Sequence, residues 1–329
     1  MKYNNIMRFI DLFAGIGGFH LGIHSIGGEC VFVSEWDDKA RITYEENYKT
    51  LSPKVFEVGL FSKGVNLFEG DITKVNEKNI PEFDILCAGF PCQPFSNAGL
   101  KKGFEDSRGT LFFDIARIVK YHKPKVVFLE NVKGFKNHDK GNTFKVVKET
   151  LEKLGYNVYA QVLNAKDYGV PQNRERVYIL GFLDDVNFKF PKPTKKVRVG
   201  DILEKKVDDK YTLSDKLWAG HQRRKKEHKE KGNGFGYSMF DENSEYTSTI
   251  SARYYKDGSE ILIKQKNKNP RKLTPREAAR LQGYPETFKI PVSDTSAYKQ
   301  FGNSVAVPVI IALAKEIKKA LDSFNKKSL

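Results

Sequence analysis

The sequence predicts an α/β fold, a doubly wound and mostly parallel sheet, joined to a smaller, mostly β domain. Three observations carry this prediction. Short apolar runs alternate with helix-like segments through the first half of the chain. The alternation stops at Phe190-Pro191-Lys192-Pro193. Beyond it the composition turns basic, then rich in Gly and aromatics. Strands spaced by helical segments form βαβ units, which build parallel sheets.

In chain order, Arg8 to Phe13, Cys30 to Ser34, Phe83 to Ala88 and Val126 to Leu129 read as strands. Gly18 to Ser25, Asp38 to Asn47, Gly109 to Tyr121 and Thr143 to Leu154 read as helices between or after them. Val158 to Leu163 and Arg176 to Phe182 are later strands. The prolines near 190 disfavour continued regular structure and mark a boundary. From Lys192 to Lys272 there are 21 Lys and Arg against 12 Asp and Glu, so this segment holds +9 of the chain's net +15. Within it TSTISARYYKDGSEILI reads as strand, turn, strand. Thr274 to Gln282 reads as a helix, with Thr274 as N-cap, Pro275 in the first position and Glu277 closing a capping box. The apolar run from Val305 to Leu313 continues into a last helix that returns to the first domain. The expected division is a domain over 1–191, completed by 296–329, and a second domain with a hinge over 192–295.

Composition narrows the function. With 40% apolar residues, 24 Phe and 15 Tyr in 329 residues, the chain can bury a core and is not disordered. A net charge of +15 points to a polyanionic partner or an acidic membrane surface. Three cysteines, Cys30, Cys87 and Cys92, make neither a disulfide framework nor a zinc site, so no metal is expected. The N-terminus lacks a signal-peptide core and no apolar run could span a bilayer, so a soluble, intracellular protein is expected.

The first motif is DLFAGIGGFHLG, Asp11 to Gly22. A strand enters a turn in which Gly15, Gly17 and Gly18 allow close approach of a nucleotide-like ligand, and a helix follows. A dinucleotide fingerprint would want Gly where this chain has His20. Glu35-Trp36 ends the next strand: a carboxylate there can accept ribose hydroxyls, and an indole can stack on adenine. Asp71 of Gly70-Asp71-Ile72 would meet the adenine amino group. Together these describe an adenosine pocket; singly, each is equally a tight turn or a surface acid.

GFPCQPFS, Gly89 to Ser96, follows the apolar run DILCA, so Cys92 sits at the C-terminal end of a strand, where open α/β sheets bind ligands. Pro91 and Pro94 restrict the backbone around the thiol. Cys87, inside the strand, reads as core. Glu130 of ENV ends a second strand on the same edge, where a half-buried carboxyl can act as proton donor. In QNRERV, Gln172 to Val177, Arg174 and Arg176 are two apart, so strand periodicity lets both enter one site. An isolated Arg of this kind is otherwise a surface ion pair.

The ordered set DLFAGIGGFHLG, EWD, GDIT, GFPCQPFS, ENV, QNRERV, RKLTPREAARLQGYP and GNSV, spanning Asp11 to Val305, resembles the bacterial restriction–modification DNA cytosine-5 methyltransferases. The resemblance implies a Rossmann-like S-adenosylmethionine-dependent domain with a smaller target-recognition domain. It implies methyl transfer from S-adenosylmethionine, leaving S-adenosylhomocysteine, to C5 of a cytosine flipped out of a short duplex site. By it, Cys92 is the nucleophile at C6, Glu130 holds the base edge and supports protonation at N3, and Arg176 holds O2 with Arg174 beside it. Phe13, Gly15, Gly17, Glu35, Trp36, Asp71, Ile72, Pro91, Leu111 and Asn303 would bind the cofactor. Ser96, Arg108, Arg223, Arg224, Thr249 and Arg253 would contact DNA, Thr249 at the phosphate near the flipped nucleotide. The implied setting is cytoplasmic and bacterial: a monomer, away from membranes, paired with a restriction endonuclease of the same specificity. The segments GNGFGYSMF and SARYYKDGSEILI resemble recognition regions for sites containing CC, such as CCGG or CCNGG. Three other readings compete: a tRNA cytosine-5 methyltransferase, which overlaps in catalytic motifs; a NAD-linked oxidoreductase, which fails on His20; and a non-catalytic DNA-binding module, which intact Cys92, Glu130 and Arg176 oppose.

Overall fold

The computed structural model describes residues 6–57, 66–91, 111–232, 234 and 236–327, with side chains up to 324. The chain divides into two compact units. Residues 1–163, 175–192 and 309–329 form the first, and 164–174 with 193–308 form the second. The second unit therefore takes the short stretch ahead of Glu175, and the boundary near the C-terminus falls at 308 instead of 296.

The first unit is built from β1 (Arg8–Leu12), α1 (Gly18–His24), β2 (Glu29–Ser34), α2 (Asp38–Tyr48), α3 (Pro53–Phe56), β3 (Phe68–Glu69), β4 (Ile85–Gly89), α4 (Leu111–His122), β5 (Val126–Val132), α5 (Asn142–Lys153), β6 (Asn157–Asn164) and β7 (Glu175–Phe182). Seven strands form one sheet in the order β3-β2-β1-β4-β5-β7-β6. β1 runs parallel to β2 and β4, β2 to β3, and β4 to β5; β7 is antiparallel to β5. The strand order reverses between β1 and β4, the switch point at which open sheets gather ligands. The central strands are buried on both faces, which is why they read as continuous apolar runs instead of alternating ones. On one face Ile10, Leu86, Val127 and Leu129 share a core with Phe112 and Ile115 of α4 and Leu151 of α5.

In the second unit, α6 (Asp215–Glu230) precedes β8 (Met239–Phe240), β9 (Leu262–Ile263), α7 (Pro275–Leu281) and α8 (Asp294–Asn303). Helix α9 (Val307–Lys327) follows, mostly in the first unit, where Gly22 of α1 lets it approach closely. A Cβ on Gly22 would stand 2.2 Å from the Ile310 side chain.

The expectation of a mostly β second domain needs correction in detail. Among the described residues its only ladder joins two two-residue strands, and helices supply most of its regular structure. The expected strand at the start of TSTISARYY is instead irregular. Only an isolated parallel bridge of Thr247 with Gln172 forms there, through Thr247 N to Pro171 O and Asn173 N to Thr247 O, and two residues on Thr249 Oγ1 donates to Asn173 O. Residues rich in Ser and Thr offer the backbone such alternatives to a ladder. The basic run folds as α6, where Ser214 caps Leu217 N and Arg223 pairs with Glu227 one turn on.

The capping box of α7 forms as expected: Thr274 Oγ1 accepts from Glu277 N, and Glu277 Oε2 accepts from Thr274 N. The same carboxylate receives a two-pronged contact from Arg271, at 2.7 and 2.8 Å, and is fully buried. Removing one partner strands the other charge in the interior. Glu277→Gln should therefore lower unfolding free energy by about 3–5 kcal/mol, read by denaturant titration. A loss near zero would mean that the pair is not the staple of this unit.

Asp11 is the acid that β1 carries into the core. Burial, reinforced by nearby Glu35, holds its pKa well above the usual carboxylate range. At low pH the folded and unfolded chains both carry this proton. As pH rises past the usual range the unfolded chain releases it and the folded chain keeps it, so folding is penalised. Asp11→Asn removes that penalty. Its stability relative to the native sequence should rise as pH climbs above the usual carboxylate range of about 4, measured by denaturant unfolding; a pH-independent difference would contradict the shift.

Candidate active site

Three parallel strands end side by side, and each hands a chemical group to the same edge of the sheet. After β1, Phe13, Gly15 and Gly17 all take left-handed backbone angles, with φ of 55°, 55° and 80°. Such a turn is costly for a non-Gly residue like Phe13, and it is held from outside. Ala14 N donates to Ser34 O at the end of β2, and Gly15 N donates to Glu35 Oε2 at 2.7 Å. Glu35 Oε1 accepts from Asp37 N at 2.7 Å. Burial raises the pKa of Glu35 above the usual carboxylate range, and these backbone N–H groups offset only part of that rise. Beside it Trp36 leaves 80% of its surface free, an unusual exposure for an indole. After β3, Asp71 caps Thr73, whose hydroxyl does most to hold the carboxyl below its usual range. Ile72 is buried beneath it.

These residues fit an adenosyl group. A Cβ on Gly15 would meet nothing within 4 Å, so there is open room beside the turn. Glu35 is bonded to this turn, and the same edge of the sheet carries Asp71 and the exposed Trp36 indole, the set a ribose and an adenine ask for.

The other half of the edge comes from β4, β5 and β7. Gly89, the last residue of β4, lies in register with Glu130 of β5. β5 continues through Val132, so Glu130 sits within the strand and is nearly buried. Because β7 is antiparallel, its first residues reach this edge, and Arg176 pairs in register with Val132. Arg176 Nε stands 3.2 Å from Glu130 Oε1, with side chains 15% and 11% exposed. The site thus presents a partly shielded acid–guanidinium pair. Asn131, which the sequence motifs did not single out, donates from Nδ2 to Phe90 O at 2.9 Å and so ties the exit of β4 to β5. Its signal was its place beside Glu130, pointing the opposite way. Pro91 is the exposed residue that follows. Cys92, Ser96 and Arg108 lie outside the described residues. Leu111 opens α4.

The expectation that Arg174 and Arg176 enter one site together is corrected. β7 begins at Glu175, so Arg174 is not under strand periodicity. Its guanidinium is buried in the second unit and donates to the carbonyls of Ile250, Gly302 and Ser304 at 3.2, 3.1 and 2.7 Å. It works with Gln172, which accepts from Ile250 N and donates to Leu281 O, and with Gln282, which donates to Phe301 O. These buried side chains bring the first three residues of QNRERV together with LQGYP and GNSV within the second unit. Asn303 ends α8 there. Of the residues assigned to DNA, Thr249 donates to Asn173 O at 2.6 Å, and Arg253 is exposed. On α6 Arg223 is 75% exposed, whereas Arg224 is partly engaged by Asp257 at 3.2 Å. No helix among the described residues is long and apolar enough to cross a membrane.

A family model described as C-5 cytosine-specific DNA methylase matches residues 7–319. The chain is 61% identical over 327 residues to the type II methyltransferase M.SsoII of Shigella sonnei, covering 97% of this chain and 82% of that protein. It is 56% identical over 328 residues to the type II methyltransferase M.NlaX of Neisseria lactamica, covering 98% and 100%. Among solved structures, the Entamoeba histolytica methyltransferase EhMeth matches with a TM-score of 0.74 over 97% of this chain and 99% of that one. At 20% identity that likeness speaks for the fold alone. The ordered motifs, the switch-point edge with its Glu130–Arg176 pair and these matches lead to one conclusion: the chain belongs to the C-5 cytosine-specific DNA methylases and is a DNA cytosine methyltransferase.

Proposed function

We propose that this enzyme transfers a methyl group from S-adenosylmethionine to C5 of a cytosine flipped out of a short duplex site. The observation that carries the reading is the Glu130–Arg176 pair, set beside the strand end from which the chain runs on to Cys92. Glu130 accepts from the cytosine amino group and supports a proton at N3, while Arg176 donates to O2. Both draw electron density from the ring and open C6 to attack. The Cys92 thiolate adds to C6, which makes C5 nucleophilic, and leaves once the C5 proton has been removed. A free thiol has a pKa of about 8.5, so a nearby guanidinium would raise its thiolate fraction. S-adenosylmethionine supplies the electrophilic methyl carbon. The Gly15 turn, Phe13, Glu35, Trp36, Asp71, Ile72, Pro91, Leu111 and Asn303 would hold it.

In this reading residues 192–295 select the site, with Arg223, Arg224, Thr249 and Arg253, joined by Ser96 and Arg108, on the DNA. Arg174 supports them from within the second unit. Relatives named as type II methyltransferases favour a restriction–modification setting; an endonuclease of the same specificity, a monomeric enzyme and a cytoplasmic location complete the reading. The resemblance of the recognition segments points to a CC-containing target.

Purified protein given labelled S-adenosylmethionine should label duplex DNA and not tRNA, and bisulfite sequencing should place the mark at one short site. Label in tRNA alone, or in neither polymer, would overturn the reading. Cys92→Ser should cut transfer on the order of a thousandfold or more, as removal of a nucleophile does, while Cys30→Ala and Cys87→Ala retain it. Near-normal turnover by Cys92→Ser would exclude the thiol.

Phosphate contacts give affinity without sequence information. Neutralising Arg223, Arg224, Lys225 and Lys226 should weaken binding to all duplexes alike and flatten the salt dependence, by about 0.9 in slope for each phosphate that the variant leaves un-neutralised. An unchanged slope in fluorescence titrations at several salt concentrations would remove α6 from the DNA surface.

A further inference from the structure

The Gly-rich turn is gripped from behind as well as from Glu35. Tyr48, the last residue of α2, is fully buried, and its hydroxyl lies 2.7 Å from Gly17 O and 3.2 Å from Ile16 O. Its ring fills the space where Gly17 has no side chain: a Cβ there would stand 2.2 Å from the ring. The Tyr48 ring also stacks on His20 at 4.1 Å with a 22° tilt. His20 is fixed in turn, Nδ1 at 2.8 Å from Tyr44 Oη and Nε2 at 3.3 Å from Ser52 Oγ. Burial lowers the pKa of His20 to about 3, so this backing stays neutral and keeps one donor and one acceptor nitrogen. Phe13 holds a left-handed backbone angle that is costly for a non-Gly residue, while Gly15 and Gly17 take theirs without strain and so leave the turn's shape to be set by its contacts.

We propose that Tyr48, backed by His20, is a positioning residue for the cofactor: its hydroxyl clamps the carbonyls of Ile16 and Gly17 and presets the turn beside Gly15 and Glu35 before the cofactor arrives. The inference rests on the S-adenosylmethionine reading above. It also gives His20, the residue that departs from the dinucleotide pattern, a task of its own.

Tyr48→Phe keeps the ring and removes the hydroxyl. Calorimetry should show the Kd for S-adenosylmethionine raised about tenfold, worth about 1.4 kcal/mol. KM for it should rise in parallel, with kcat and duplex affinity within about twofold of the native values. A folded variant with native cofactor affinity overturns the proposal. So does a variant in which Tm, kcat and duplex affinity fall together, the mark of a structural role only. Should Tyr48→Phe not fold, amide hydrogen exchange on the native protein decides. Slow exchange without cofactor at Gly17 and Leu21, whose amides donate to Ala14 O and Gly17 O, is expected from a preset turn, and fast exchange that slows only on cofactor binding overturns it. Native protein that binds no S-adenosylmethionine, with or without DNA, would instead sink the cofactor reading and this inference with it, an outcome distinct from a silent Tyr48→Phe.

Discussion

Parallel pairing of β1 with both β2 and β4 is the constraint on which the site depends. Parallel strands deliver all their C-terminal ends to one edge, so the Gly-rich turn, Glu35, Asp71 and the exit of β4 become neighbours although they are spread along much of the first unit's sequence. The reversal of strand order at β1 and β4 parts the helices there and leaves the edge open. β7 adds to the same edge only because it runs the other way, so that its first residues face the last residues of β5. Had β7 been parallel, Arg176 would lie at the far end of the sheet from Glu130.

The two units are stabilised by different means. The first is built on strands buried on both faces, around an apolar core that also encloses Asp11, His20 and Ser52. The second has little regular sheet and is held by buried polar side chains: Arg174 on three carbonyls, Gln172 and Gln282 on backbone groups, and Arg271 on Glu277. A framework of this kind leaves surface loops free to vary, because its hydrogen bonds converge on a few motif residues instead of on a ladder.

The Gly-rich turn after β1 shows how backbone shape and side-chain support are paired. Three left-handed residues in five give the backbone its shape. Glu35 holds one side of that shape by accepting from Gly15 N, and Tyr48 holds the other by donating to Gly17 O. The sequence singled out Glu35 as an acid at the end of the second strand, but its hold on Gly15 N came only from the structure. Tyr48 was not singled out: it lies at the end of a helix whose apolar pattern is weak, and only packing brings it under Gly17.

From the sequence alone came the alternation of strands and helices, the α7 capping box, and the residue types that ended at the shared edge. Those follow from local rules: periodicity, capping chemistry, and the habit of parallel sheets of collecting ligands at their C-terminal ends. Tertiary structure decided the rest. It separated Arg174 from Arg176, two residues apart, because β7 starts between them, and strand periodicity holds only within a strand. It made the Thr- and Ser-rich segment near 249 irregular, since side-chain and backbone acceptors in neighbouring segments competed with a ladder that the sequence pattern suggested. It assigned Asn131 and Tyr48 their carbonyl partners, which lie 41 and 31 residues away. Distances of that kind are set by how the sheet and its helices pack, and no local pattern encodes them.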